Sequence, residues 1–311
     1  MIVEVRTPSR LHLGLIELGG HWRRFYGGIG VALKKPSLYL KAIKSHTLEV
    51  TGQCSPDVSA AVAVLEKAFQ MDFKARIQVL ESIPAHKGFG SKTQLSLAVG
   101  ISLAKMYGLD VKPETLAALL GRGQISRVGT TAFIHGGFIV DLPRKKQAKQ
   151  QLSFLRVEFP EEWAFLVAYP LDRSGPDDDL EQQLFNRLPA MDEQRCSEIS
   201  HVILAGLLPS LMERDAEGFG EALTKLQTLV GGHFAAVQGG VFVSREAVEI
   251  IAKHGALGVG QSSWGPAVYG FYSSFKEAAE AAEKISQKLG NGWNVFATEA
   301  DNEGARISVA P

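Results

Sequence analysis

The sequence predicts an α+β protein of two domains, residues 1–150 and 151–311, and three observations predict it. In the first half, the strand-like "KARIQVL" leads into the glycine loop "PAHKGFG" and from there into the helical "SKTQLSLAVG". In the second half the elements follow the order β, α, β, β, α, β, which is the split βαβ or ferredoxin-like order. Between the halves, the basic, glutamine-rich "PRKKQAKQQ" (Pro143–Gln151) has no apolar period and reads as a solvated hairpin tip or linker.

Taken in order, Ile2–Arg6 alternates as a strand does, and Arg10–Ile16 begins another before the turn-rich "ELGGHWRRFYGGIG". "HTLEV" reads as a strand and "VSAAVAVLEKAF" as a helix. After the glycine loop an amphipathic helix spans Lys92–Tyr107. Pro113 suits the first position of a further helix, "ETLAALL", which Gly121 or Gly123 stops. "GGFIVDL" returns to strand. Beyond the linker "WAFLVAYP" is a strand, and "CSEISHVILAGLLPSLMER" and "GFGEALTKLQTLV" are helical. "GALGV" and "AVYGFY" are strands, "FKEAAEAAEKISQKL" a helix and "WNVFAT" the last strand. There is no internal repeat.

Of 311 residues, 45% are apolar, enough for full hydrophobic cores, and 33 basic residues balance 33 acidic ones. No global field draws such a chain to nucleic acid or to an anionic membrane, so any anion site must be local. Cys54 and Cys196 lie far apart, with no CxxC or Cys/His cluster, which suits a reducing compartment. Charges interrupt the apolar runs of the opening "MIVEVRTPSRLHLGLIEL", so neither a signal peptide nor a membrane span is expected. The expectation is a cytoplasmic protein.

Three stretches carry candidate chemistry. Gly88 and Gly90 let the backbone approach a ligand, and Ser91, Lys92 and Thr93 offer N–H groups at the positive end of a helix. A helix start prefers Asp or Glu, so a lysine there, with His86 and Lys87 just upstream, suggests an anionic ligand. The spacing differs from GxxxxGK[ST], and a glycine turn with an exposed lysine is the other reading. The glycine–serine stretch "GALGVGQSSWGPAVYG" (Gly255–Gly270) reads either as a loop that lets a ligand close in or as a tight strand connection. In "TPSRLHLGLIE", Arg10, His12 and Gly14 alternate against Leu11, Leu13 and Leu15; such a polar face can be a site or plain surface.

Together these stretches resemble the three motifs of the GHMP superfamily of small-molecule kinases, in their order and approximate spacing, over most of the chain. The resemblance implies a GHMP-type fold: an N-terminal domain like ribosomal protein S5 domain 2, a ferredoxin-like C-terminal domain, and a ligand site between them. Within the superfamily the sequence is most similar to the β-ribofuranosylaminobenzene 5′-phosphate synthase family, on "SRLHLGLIEL", "YGGIGVAL", "GFGSKTQLSLAVG", "AFIHGGFIVD" and "GQSSWGPAVYG". That family's reaction, in methanopterin biosynthesis, joins 4-aminobenzoate to phosphoribosyl pyrophosphate with loss of carbon dioxide and pyrophosphate. In the kinases a catalytic aspartate precedes the "GG" strand. Here Thr130 or Thr131 stands about there, and no acid lies between Gly121 and His135, which argues against kinase chemistry.

The resemblance implies roles. Gly88, Gly90, Ser91, Lys92, Thr93 and Gln94 would hold the pyrophosphate, with Ser91 contacting Mg2+. Gly260, Gln261, Ser262 and Ser263 would close the site from the other domain. Arg10 and His12 would meet the ribose phosphate or the aminobenzoate carboxylate, and Arg127 offers a further phosphate contact or plain helix surface. The acidic "SGPDDDLEQQLF" would either bring Glu181 to the amine or metal or form a solvated loop. The expected partners are these small molecules and a second copy of the chain in a homodimer. An ATP-dependent kinase with another base, or a ligand-binding member without turnover, are the alternatives.

Overall fold

The alternation that starts at Ile2 does not stop at Arg6. Ile2–Glu17 forms one strand, β1, which makes a long antiparallel hairpin with β2 (Tyr26–Lys44). The chain is described here by a computed structural model covering residues 1–146 and 153–311, so the expected boundary at 150 and the linker residues 147–151 fall outside the described residues. The β1–β2 register slips between Thr7 and Ser9, around Pro8, and again between His12 and Gly14. The second slip makes Leu13 an extra residue, so the expected alternation ends at His12, and Leu13, Gly14 and Leu15 all line one cavity.

After β3 (Glu49–Gly52) come α1 (Ser55–Phe69), β4 (Ala75–Glu81), α2 (Ser91–Tyr107), α3 (Pro113–Leu119), α4 (Val128–His135), β5 (Phe138–Asp141) and β6 (Phe154–Val157). Among the described residues the first sheet has seven strands, with the path β11 (Arg306–Ala310)–β1–β2–β4–β3; β5 pairs with β2 and β6 with β5. Only β3–β4 is parallel. The strand β11 (Arg306–Ala310) returns from the C-terminus to the edge of this sheet, so β6 and β11 complete it from beyond residue 150.

The expected amphipathicity of α2 is corrected. Every residue from Gln94 to Ala104 is buried, because the helix packs between β1, α1 and α3. Small residues allow this: a Cβ on Gly100 would come within 3.3 Å of Leu116 of α3. Left-handed Gly90 and Gly108 bound the helix, and Gly108 returns its N–H to Ala104.

The second half runs β7 (Ala164–Pro170), α5 (Asp178–Arg187), α6 (Glu193–His201), a π-helical stretch (Val202–Leu207), α7 (Leu208–Glu213), α8 (Ala216–Gln238), α9 (Arg245–Ala252), β8 (Gly258–Gln261), β9 (Val268–Tyr272), α10 (Phe275–Leu289) and β10 (Trp293–Glu299). The sheet order β10–β7–β9–β8, antiparallel throughout, is that of the ferredoxin-like unit expected from the sequence. Caps fix the long helices: Asp215 accepts the Gly218 N–H at the start of α8, and Ser274 accepts the Glu277 N–H at the start of α10. The helices α4, α5 and α9 were not expected from the sequence.

A continuous core joins the halves. Phe138 of β5 meets Phe219 of α8, which packs on Phe159, Trp163 and Phe271. Each such ring, fully buried, stabilises the fold by roughly 1.5–3 kcal/mol. The junction between the sheets is therefore packed core, and it holds the facing loops in register.

Candidate active site

Three short segments, far apart in sequence, are stitched together where the halves meet. The Ser262 hydroxyl accepts the His12 N–H at 2.9 Å and donates to the Gly88 carbonyl at 2.5 Å. The Ser263 N–H donates to the His12 carbonyl, and the Arg10 N–H to that of Phe89. Gly88 (φ +93°) lies so close that a Cβ would sit 2.4 Å from the Ser262 carbonyl oxygen, and one on Gly90 (φ +74°) would press to 3.2 Å from the Arg10 guanidinium. Arg10 Nη1 donates to the Gly88 carbonyl at 2.5 Å, while its buried Nε has no hydrogen-bond partner among the described residues. The expectation that Ser262 closes on a ligand is refined: its hydroxyl is spent holding the loop.

Two adjoining cavities flank this stitch. The smaller, about 160 Å3, lies over the glycine loop and the first turn of α2, and Gly88, Gly90, Ser91, Lys92 and Thr93 line it. Among the described residues no side chain caps α2; the Thr93 and Gln94 N–H groups return to the Gly90 carbonyl, and those of Ser91 and Lys92 at the very start are left for a ligand. The larger, about 420 Å3, is walled by Phe185, Phe234 and Trp264, with Val230 and Val241, and by the polar Gln227, Ser126 and His12. Arg10, Thr93, Arg122, Asp178, Glu181, Ser263 and Trp264 line both and form the wall between them.

The charge at the loop already has a counter-anion within the chain. Lys92 Nζ and Arg122 Nη2 both lie 2.9 Å from Asp178 Oδ2, at the acidic start of α5. Burial pushes the Asp178 carboxyl up, but these two bonds outweigh it and hold it below its usual value. Burial raises Glu181, opposed by the Trp264 indole N–H, 2.9 Å away, and by the charge on Arg10. Arg10 is pulled down to about 10 by burial, with Glu181 acting in the opposite direction, and remains charged. His12 is pushed down to about 3, by burial first and Arg10 second, so it is neutral; its Nε2 lies 2.9 Å from the Ser126 hydroxyl.

Of the expected site residues, Gln94 lies inside the fold, its Nε2 donating to the Gly129 carbonyl. Gly260 is sealed in the second sheet, where a Cβ would strike Gln227 and the Tyr269 hydroxyl. Gln261 lines the larger cavity but also ties Val243 and Ser263 to β8. The Arg127 N–H donates to Asp141, and Arg127 lines neither cavity. Lys87 is used structurally, its ammonium donating to the Pro170, Leu171 and Arg173 carbonyls at the end of β7.

Thr130 and Thr131 are buried in α4 and line neither cavity. The site nevertheless has carboxylates: Asp178, Asp179 and Glu181 reach it from α5. The sequence reading missed Asp178 and Arg122. The signal for Arg122 was present as a cation between two left-handed glycines, Gly121 and Gly123, read there only as helix stops.

The GHMP kinases N terminal domain family matches residues 57–137, and the GHMP kinases C terminal family residues 207–291. A beta-ribofuranosylphenol 5′-phosphate synthase from Archaeoglobus fulgidus is 33% identical, over 99% of this chain and 100% of the relative. The chain belongs to the beta-ribofuranosylphenol 5′-phosphate synthase family. A second such synthase, from Methanothermobacter thermautotrophicus, is 33% identical over 98% of this chain and 99% of its own. This synthase family has the fold of GHMP kinases. A homoserine kinase from Cytophaga hutchinsonii superposes with a TM-score of 0.68 at 14% identity, covering 99% of this chain and 97% of that one. The Methanococcus jannaschii mevalonate kinase superposes with a TM-score of 0.68 at 16% identity, covering 97% and 98%. The family membership favours the synthase reading over a kinase. No helix among the described residues is long and apolar enough to cross a membrane.

Proposed function

We propose that the chain is a decarboxylating phosphoribosyltransferase, which joins phosphoribosyl pyrophosphate to a benzoate bearing a para amino or hydroxyl group and releases pyrophosphate and carbon dioxide. One observation carries this reading: a cationic chamber over a glycine loop and helix N-terminus opens beside a chamber walled by aromatic rings. The first suits a polyanionic leaving group, the second a flat ring.

The helix N–H groups, Lys92 and Arg122 would hold the pyrophosphate, which displaces Asp178 from the two cations. As the C1′–oxygen bond breaks, its electron pair leaves with the pyrophosphate, and these donors meet the charge that develops. Arg10, at the wall between the chambers, would hold the benzoate carboxylate towards C1′. The ring carbon bearing that carboxylate then bonds to C1′, and the para substituent's lone pair takes up the positive charge. Carbon dioxide leaves, returning its bond pair to the ring, so no residue must abstract a proton. Neutral His12 suits this scheme as a positioning group.

The relatives' name ends in a phenol, which a hydroxybenzoate would yield, whereas the sequence resemblance pointed to 4-aminobenzoate. Both supply the same para electron pair. The all-oxygen set of the Ser91 hydroxyl and the Glu181 carboxylate lining the small chamber fits Mg2+. Those two residues would hold the ion, which when bound supplies charge neutralisation for the pyrophosphate.

Incubation with phosphoribosyl pyrophosphate, Mg2+ and carboxyl-labelled 4-aminobenzoate or 4-hydroxybenzoate tests the reading. Labelled carbon dioxide should appear in equal amount with pyrophosphate, and competition between the two acids identifies the preferred one. Pyrophosphate release with the carboxylate left on the ring would place the attack at the para substituent or at water and sink the proposal.

A further inference from the structure

Away from both chambers, the loop between β1 and β2 folds against the start of α6. There Glu17, His21 and Cys196 each bring a metal-ligating atom within 4.8 Å of the other two. Glu17 and Cys196 are buried and His21 is half-buried. The Glu17 carboxylate takes the N–H groups of Gly19 and Gly20 and the Cys196 thiol at 3.4 Å, all on Oε1, which leaves Oε2 to a further partner. Among the described residues Glu17 forms no ion pair, although buried carboxylates are ordinarily paired with a cation or bound to a metal.

The loop is shaped around the imidazole. A Cβ on Gly19 would lie 2.2 Å from His21 Nε2 and 2.3 Å from the Met191 carbonyl oxygen, so only glycine lets the ring fold back over the chain. The Met191 carbonyl stands 3.1 Å from that nitrogen and accepts from it in one tautomer, a contact that ties the ring to the segment before α6.

We propose that Glu17, His21 and Cys196 form a site for a borderline divalent cation of the Zn2+ class. Thiolate, imidazole and carboxylate are the donors zinc takes, and in a tetrahedral site they stand roughly 3.3–3.8 Å apart, given zinc–ligand distances of about 2.0–2.3 Å. The 3.4 Å between Sγ and Oε1 already matches, and rotamer adjustment of His21 on its loop closes the rest. On binding, the thiol proton passes to solvent and a sulfur–metal bond replaces the bond to Glu17. The ion would tie the β1–β2 loop to α6, and through Leu188–Met191 to α5, which carries Asp178 and Glu181. The proposal does not depend on the reaction assigned to the chambers.

Cobalt(II) titration of the chelator-treated full chain tests it. One equivalent should produce the near-ultraviolet thiolate-to-cobalt band and the visible bands of a tetrahedral site, and Zn2+ should erase both. An ion at the oxygen donors Ser91 and Glu181 gives no thiolate band, so the two sites are read separately. Cys196→Ser should lose the band and Cys54→Ser should keep it. Should Cys196→Ser fail to fold, His21→Ala serves in its place and should weaken cobalt binding by about tenfold or more. Absence of the band in the unaltered chain at saturating cobalt, or its survival in Cys196→Ser, would overturn the site.

Discussion

The two chambers differ in the material from which they are made. The one over the glycine loop is largely a backbone site: consecutive residues from Gly88 to Thr93 supply its floor, and cations its charge. The larger one is a side-chain site, assembled from β1, α5, α8 and the turns at residues 121–126 and 261–264. A phosphate cradle depends on local chain geometry, since helix N–H groups point where the helix starts. A pocket for an apolar ring exists only once distant elements have packed. Strand β1 shows the contrast over two residues: Arg10, at the dividing wall, stays charged, while His12, under the larger chamber, is held neutral.

The largest expected effect breaks the small chamber alone. In Lys92→Glu a carboxylate replaces the ammonium, facing Asp178 and any incoming pyrophosphate, so kcat/KM for phosphoribosyl pyrophosphate should fall by about 100-fold or more, or roughly 2.7 kcal/mol or more. Calorimetric binding of the aromatic acid alone should change little. The thermal midpoint should fall only slightly, because the lost Lys92–Asp178 pair is exposed and the new glutamate favours the helix start. Equal losses for both substrates would show that the chambers are not separate.

The same contrast explains what the sequence disclosed. The loop, the helix start and the glycines at 88 and 90 were legible because their function is local. The β, α, β, β, α, β order was legible because each strand and helix carries its own period. Asp178 was not, since its pairing with Lys92 and Arg122 spans 86 and 56 residues and nothing in "SGPDDDLEQQLF" tells which acid turns inward. Nor was the task of Ser262, where a buried serine that stitches the backbone and one that binds a ligand look alike. The bulge at Leu13 was hidden by a pattern that alternates through it, and the return of β11 to the first sheet was hidden by distance.

A smaller effect sharpens the contrast at the shared wall. Asp178 occupies the cations that the pyrophosphate would need, so Asp178→Asn should lower KM for phosphoribosyl pyrophosphate by about fivefold with kcat little changed. That corresponds to roughly 1 kcal/mol, the scale of a half-exposed charge-assisted bond. A rise in KM of tenfold or more, steepened by lowering Mg2+, would instead make Asp178 a metal ligand and withdraw its role as an internal counter-anion.

The smallest effect concerns the neutral side of β1 and is read in stability against pH. His12 titrates near 3 when folded, because burial and the Arg10 charge disfavour the imidazolium, against 6.5 when exposed. Well above pH 6.5, from about pH 8, the imidazole is neutral in both states and contributes no slope. As the pH falls below 6.5, the unfolded chain takes up a proton that the folded chain refuses, so stability is lost progressively towards pH 3. One group of this kind removes about 1 kcal/mol between pH 6.5 and 5.5. His12→Gln, which keeps a donor for Ser126, should flatten the acid slope of the urea-unfolding free energy by that amount over this interval while leaving the slope above about pH 8 unchanged. An unaltered acid slope would mean that the folded protein accepts the imidazolium beside Arg10, and that the larger chamber is more open to water than its lining implies.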